Sequence, residues 1–201
     1  MMSKFNQQYF KSLNYTDYLS RLDRYRKLAT ELDELFSKFH LANKDSKILD
    51  YGCAVGFLME GLGELGYNNI IGYDISKWAA KQAKKKRLNI LDKIDKKVFD
   101  IIISFDVFEH MHNSEIKKTL SLFQSKILIV RIPCSIDGNQ FVLDISKQDP
   151  THINCKTKKS WTKFFSQFGY DTILPLNLLT IYDTPGVMCA LCLKSGTQFF
   201  K

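Results

Sequence analysis

No apolar run in the 201 residues exceeds the length of a strand, so no segment reads as a membrane-spanning helix. The N-terminus has no apolar stretch of the signal-peptide kind either, and a soluble, cytoplasmic protein is the expectation. A disulfide framework is missing too. The five cysteines are odd in number, scattered and mostly inside apolar segments, which points to reduced thiols in a reducing compartment. Cys189 and Cys192 make a C-x-x-C, but they sit in a strand-like run that would turn them to opposite faces, which argues against a redox or zinc pair. Internal repeats, low-complexity tracts and linkers are absent, and the length suits one domain over residues 1–201.

Charge is not scarce. A net charge of +8 permits a polyanionic partner without requiring one. The densest cluster, Lys77, Lys81, Lys84, Lys85, Lys86 and Arg87, shares a helix with Trp78, Ala79, Ala80 and Ala83 and reads as a solvated face.

The most informative stretch is Lys47 to Leu62, KILDYGCAVGFLMEGL. Ile48 and Leu49 make a buried strand, Asp50 ends it, and Gly52 and Gly56 bracket a turn where backbone approaches a ligand. Phe57, Leu58, Leu62 and Leu65 follow at helical spacing, so a helix N-terminus faces the same crevice. Asp74 ends the next apolar run about 20 residues on, where a carboxylate reaches ribose hydroxyls. A dinucleotide site shares this outline, but its pyrophosphate requires three glycines and no acid, whereas a cationic sulfonium cofactor suits Asp50. Asp50-x-Gly52-Cys53-x-x-Gly56 resembles the first motif of the class I S-adenosylmethionine-dependent methyltransferases. It departs from that pattern at Ala54, where glycine is commoner; the methyl group is tolerable if φ stays negative.

The resemblance implies a Rossmann-like α/β fold with a doubly wound, seven-stranded, mostly parallel sheet and a C-terminal antiparallel strand. It divides the chain into an N-terminal helical lid, 1–45, and a catalytic core, 46–201. It also implies cofactor contacts from Asp50, Gly52, Cys53, Ala54, Gly56, Phe57, Asp74, Ile75 and Phe105, with Asp92 in the place of the adenine contact and Tyr15, Tyr18 and Arg21 as further candidates.

Taken in order, apolar residues from Tyr18 to Phe39 predict one amphipathic helix from Thr16 to about His40, with Thr16 as N-cap. The aromatic extension before it, with Phe5, Tyr9 and Phe10, is expected to pack as a lid. Strands are expected at 47–50, 69–73, 89–91, 99–104 and 126–132, and a helix at 157–168 closes on Gly169. A terminal strand pair turns at Thr184-Pro185-Gly186.

Just past the fourth strand stands Asp106-Val-Phe-Glu109-His110, whose acids and imidazole share one face if the segment is a helical turn. A second segment, Asp149-Pro-Thr-His152, enters from the following strand. An acid-x-x-Glu-His motif with a later histidine resembles the metal-dependent 2′-O-methyltransferases of small-RNA 3′ ends and the ubiquinone-pathway catechol O-methyltransferases. It implies a divalent ion, Mg2+ or Mn2+, on Asp106, Glu109, His110 and His152, with Asp106 one methylene shorter than the usual glutamate. Such an ion would acidify an acceptor hydroxyl and select vicinal diols. Without it, His110 or His152 would act as general base, polarised by Glu109 or Asp149, so His110, His152 and Asp106 are the catalytic candidates. The expected acceptor is a sugar or glycan hydroxyl, with catechols and RNA ends as alternatives and a non-enzymatic scaffold as a further one.

Overall fold

The computed structural model describes residues 4–12, 17–93 and 95–197. Thr16 and Tyr15 lie outside the described residues. The chain forms two compact units, residues 1–93 with 199–201, and 94–198.

In the first unit, helix α1 (Leu22–Lys38) buries Leu28, Ala29, Leu32, Leu35 and Phe36. It starts later than its periodicity predicts, because Tyr18–Ser20 form a 3-10 turn. Asp17 pairs with Arg21 there, and Tyr18 turns inward onto the Phe57 ring, centroids 5.6 Å apart. Strand β1 (Ile48–Tyr51) is buried throughout and leads into α2 (Phe57–Glu64), which packs on α1. Gly61 makes that approach possible: a Cβ there would lie 2.8 Å from the Ala29 Cβ. Strand β2 (Ile70–Tyr73) pairs with β1 in parallel, Asp50 opposite Gly72. Ser76 caps α3 (Lys77–Lys85) by accepting from the Ala79 amide at 3.1 Å. Its lysines form a solvated face, with Lys84 on Asp92, while Lys86 just beyond pairs with Glu60.

The second unit has a short parallel pair, β3 (Lys97–Val98) with β5 (Phe123–Gln124). Its main strands are β4 (Ile101–Phe105), β6 (Ile127–Pro133), β7 (Tyr170–Pro175) and β8 (Val187–Lys194). Strand β4 runs parallel to β6; β8 runs antiparallel to both β6 and β7. Three helices accompany them: α4 (Asn113–Leu122), α5 (Asp144–Lys147) and α6 (Lys158–Ser166). Thr157 caps α6, and the chain reverses at Gly169, φ 84°. Cys189 and Cys192 sit three apart in β8, both buried and both free thiols, and burial pushes the Cys189 thiol up to about 12.

This is the expected Rossmann-like α/β fold, with parallel strands and an antiparallel C-terminal segment. The strand count is corrected: two main strands in the first unit and four in the second stand against the seven expected. Asn89 to Leu91 form no strand, only a parallel bridge from Ile90 to Gly72. Two apolar residues, Ile90 and Leu91, followed at once by Asp92 and Lys93 leave too little chain for a ladder. At Gly72 a Cβ would lie 2.6–2.8 Å from Met59, Ile90 and Cys53. Gly72→Ala is expected to destabilise the protein by about 1–3 kcal/mol through overpacking, read as a lower urea midpoint at unchanged m-value.

Candidate active site

The glycine turn is a run of alternating left-handed residues: Gly52 (φ 87°), Ala54 (φ 47°) and Gly56 (φ 84°). The amides of Gly52 and Cys53 donate to the Tyr73 carbonyl at 2.7 and 3.1 Å, which ties the turn to the end of β2. Ala54 corrects the expectation of a negative φ. An L-residue in this region costs roughly 1–2 kcal/mol. What holds it is the Asp74 carboxylate, which accepts from the Ala54 amide at 2.8 Å and from the Ser76 amide at 2.7 Å. Gly56 admits no side chain, since a Cβ would meet Leu88 at 2.2 Å.

A buried acid, Asp50, and a half-buried one, Asp74, flank this turn. Burial, then the charge of Asp74, pushes the Asp50 carboxyl up to about 7. Burial pushes Asp74 up to about 6, against the lowering effect of its two amide donors. Over the turn lies an aromatic cluster: Phe10, Tyr18, Val55, Phe57 and Ala79 are buried together, with Phe10 stacked on Trp78 at 5.3 Å. Tyr18 is therefore a packing residue, and Arg21 is held by Asp17. Of the other expected contacts, Cys53 and Phe57 are buried, Phe105 is half-buried at the end of β4, and Ile75 is exposed. Asp92 is exposed and paired with Lys84.

In the second unit, the chain leaves β4 through Asp106 in a left-handed conformation (φ 55°) and enters a 3-10 turn, Phe108–His110. The expected shared helical face is not formed. Asp106 instead takes an ion pair with Arg131, while its Oδ1 is buried without a hydrogen-bond partner. The turn delivers Glu109 and His110 to His152, and the ligand atoms of these three lie within 4.8 Å of one another. The second segment is stitched on by its backbone: the Ile153 and Asn154 amides both donate to the Glu109 carbonyl at 2.9 Å. Asn154 Nδ2 donates to the Met111 carbonyl at 2.8 Å.

The Glu109 carboxylate is 0% exposed and neither oxygen has a hydrogen-bond partner. His110 Nε2 and His152 Nε2 stand 3.8 and 4.0 Å from its Oε1. Burial, then the Asp106 charge, holds the Glu109 carboxyl well above the usual carboxylate range. Burial lowers both histidines, so the imidazoles are neutral. The His152 Nδ1 donates to the Ser146 carbonyl at 3.0 Å, since a carbonyl only accepts, and its Nε2 lone pair is free toward Glu109. One carboxylate and bare imidazole nitrogens are a donor set that suits a divalent cation, and the orphaned Glu109 oxygens are what such an ion would satisfy.

Sequence reasoning missed Arg131. A lone cation inside the apolar run Ile127 to Pro133 was a usable signal, because a charge in a buried strand requires a partner.

A methyltransferase domain family model matches residues 20–174, more than half of the chain. The chain belongs to this family. It is a class I S-adenosylmethionine-dependent methyltransferase. A ubiquinone biosynthesis O-methyltransferase of Pelagibacter ubique (strain HTCC1062) is 37% identical over 81 residues, 35% of this chain and 33% of that protein. The match thus spans about a third of the curated relative's length. Magnesium protoporphyrin IX methyltransferase (ChlM) of Synechocystis PCC 6803 with bound SAH is 16% identical, with a TM-score of 0.59 over 94% of this chain and 98% of that one. The methyltransferase domain of bacterial CtHen1 is 17% identical, with a TM-score of 0.59 over 86% and 99% of the two chains. Both likenesses are in fold.

The methyltransferase turn has a testable electrostatic signature. The folded pKa of Asp50 is raised, so its contribution to stability is present below an unfolded pKa of ~4 and is lost as pH rises through about 7. A cationic cofactor placed against this turn would favour ionised Asp50 and Asp74, so the expected sign for binding is opposite. S-adenosylmethionine affinity is expected to rise between pH 5 and pH 8 by titration calorimetry. Asp50→Asn should flatten that rise and stabilise the cofactor-free protein at pH 8 relative to pH 5.

Proposed function

We propose that this methyltransferase transfers the methyl group to oxygen, at a hydroxyl with a second oxygen beside it, and that a divalent cation assists. The observation carrying this reading is the fully buried Glu109 carboxyl group, without a hydrogen-bond partner among the described residues and faced at 3.8 and 4.0 Å by Nε2 of His110 and of His152. Glu109, His110 and His152 would hold the ion, and the free Oδ1 of Asp106 is a further acid beside them in the motif.

An alcohol is un-ionised near neutral pH and is a weak nucleophile. Glu109, His110 and His152 would hold Mg2+ or Mn2+ here, whose chemistry would be to lower the pKa of the acceptor hydroxyl. The chain's own part is positioning. Glu109 supplies the compensating negative charge, and the two imidazoles present lone pairs from rings fixed on their far side by Ser146 and Thr151. Asp50 and Asp74 offer carboxylates to the positively charged cofactor, and the glycine turn keeps its backbone clear of side chains. Displacement at the methyl group then needs alignment and exclusion of water.

The acceptor we favour is a vicinal diol of a sugar or glycan, for which the net charge of +8 suits an anionic carrier such as a nucleotide. A second reading, a catechol-type quinone precursor, is favoured by the ubiquinone-pathway relative. An RNA 3′-terminal ribose shares the same paired oxygens.

Methyl transfer to a panel of sugar diols, catechols and ribose-ended oligonucleotides, followed by mass spectrometry, separates these acceptors. Activity should vanish in EDTA and return with Mn2+ or Mg2+. Glu109→Gln and His152→Ala should each lower kcat at least ~100-fold while cofactor affinity is preserved. Full turnover in EDTA would refute the metal-assisted reading.

A further inference from the structure

Behind His110 the second-unit cluster contains a hydrogen-bonded relay, Asp149–Thr151–His110. Thr151 Oγ1 lies 2.5 Å from Asp149 Oδ1 and 2.9 Å from His110 Nδ1. The Thr151 amide also donates to Asp149 Oδ1, at 2.8 Å, so this turn is braced at both backbone and side chain. Asp149 is nearly buried, with a side chain 2% exposed, and its Oδ2 lies 3.7 Å from His152 Nε2.

Counting protons along this chain leaves one arrangement. An ionised carboxylate only accepts, so the Thr151 hydroxyl must give its single proton to Asp149. The oxygen is left with lone pairs alone, so it can meet His110 Nδ1 only if that nitrogen carries the ring proton. The opposite nitrogen, Nε2, is then bare and faces Glu109 at 3.8 Å. A short O–H···O⁻ bond of this kind is stronger than a neutral one, which makes the order of donors hard to reverse.

We propose that Thr151 is a positioning residue whose hydroxyl, anchored on Asp149, sets the tautomer of His110 and so presents the Nε2 lone pair for cation binding. His152 reaches the same state by a different route, through the Ser146 carbonyl, so the two rings are prepared independently. Outer partners of this sort typically matter by ten- to a hundredfold in metal affinity. The consequence for cation binding rests on the metal-assisted reading above; the tautomer itself does not.

The experiment is a long-range 1H–15N correlation spectrum of the imidazoles in metal-free, 15N-labelled protein, with His110 assigned by the His110→Gln spectrum, together with Mn2+ titration followed by electron paramagnetic resonance. In the unmodified protein, His110 should be protonated on Nδ1 alone. Thr151→Val should give a mixture of tautomers and a ten- to hundredfold weaker Mn2+ affinity, and Thr151→Ser should restore both. Asp149→Asn provides a second variant should Thr151→Val not fold. Its amide can donate to the Thr151 oxygen, releasing the hydroxyl proton toward Nδ1 and moving the ring proton to Nε2. His110 protonated on Nε2 in the unmodified protein, or an unchanged tautomer in both variants, would overturn the proposal. An unmodified protein with the expected tautomer and no Mn2+ binding would instead overturn the metal-assisted reading and leave the relay standing.

Discussion

A carboxylate withdrawn from water and given no donor is among the costlier things a fold can contain, at several kcal/mol for an ionised group. Glu109 is in that position, and the rest of the second unit is arranged to keep it there. Its own backbone carbonyl anchors the loop that carries His152, so the residue that bears the buried acid also fixes the imidazole facing it. Neither histidine relieves the strain as the chain stands: each has its proton committed on the far side of the ring and shows Glu109 a lone pair. Protonation of Glu109, which burial favours, is one way such a site is resolved, and a bound cation is the other.

The first unit solves a related problem with different means. Asp50 is buried with the half-buried Asp74 beside it, and the Asp74 charge adds to burial in raising the cost of ionising Asp50. Asp74 is partly compensated by two amide donors, one of which belongs to Ala54. That bond explains how an alanine persists with φ of 47° where glycine is the usual choice: the carboxylate that shapes the turn also pins its least comfortable residue. In both units, then, burial holds carboxyl groups above their usual pKa range.

Much of this was visible before any coordinates. Gly52, Gly56, Asp74 and the helix after the turn were legible because local spacing encodes them, and the strand pattern was legible because buried parallel strands are runs of apolar residues. The failures are equally specific. The strand expected at Asn89 to Leu91 shrank to a bridge, since two apolar residues, Ile90 and Leu91, cannot show whether a partner edge is long enough to pair. Helix α1 began at Leu22 because tertiary packing of Tyr18 on Phe57 outweighed the periodicity. Asp106 was read as one acid of a set of four, yet it sits in an ion pair with Arg131, a residue 25 positions away in sequence.

The amino-acid sequence by itself determined the order of strands and helices, the glycine bend after β1, and the inventory of acids and imidazoles, because all of these are properties of neighbours along the chain. The tertiary structure decided which of those groups meet. Thr151 and His110 are 41 residues apart, and no periodicity records that a hydroxyl on one loop will settle the protonation of a ring on another. Hydrogen bonds act over about 3 Å and depend on direction, so only the packing of the loops could assign the donor, the acceptor and the lone pair left over.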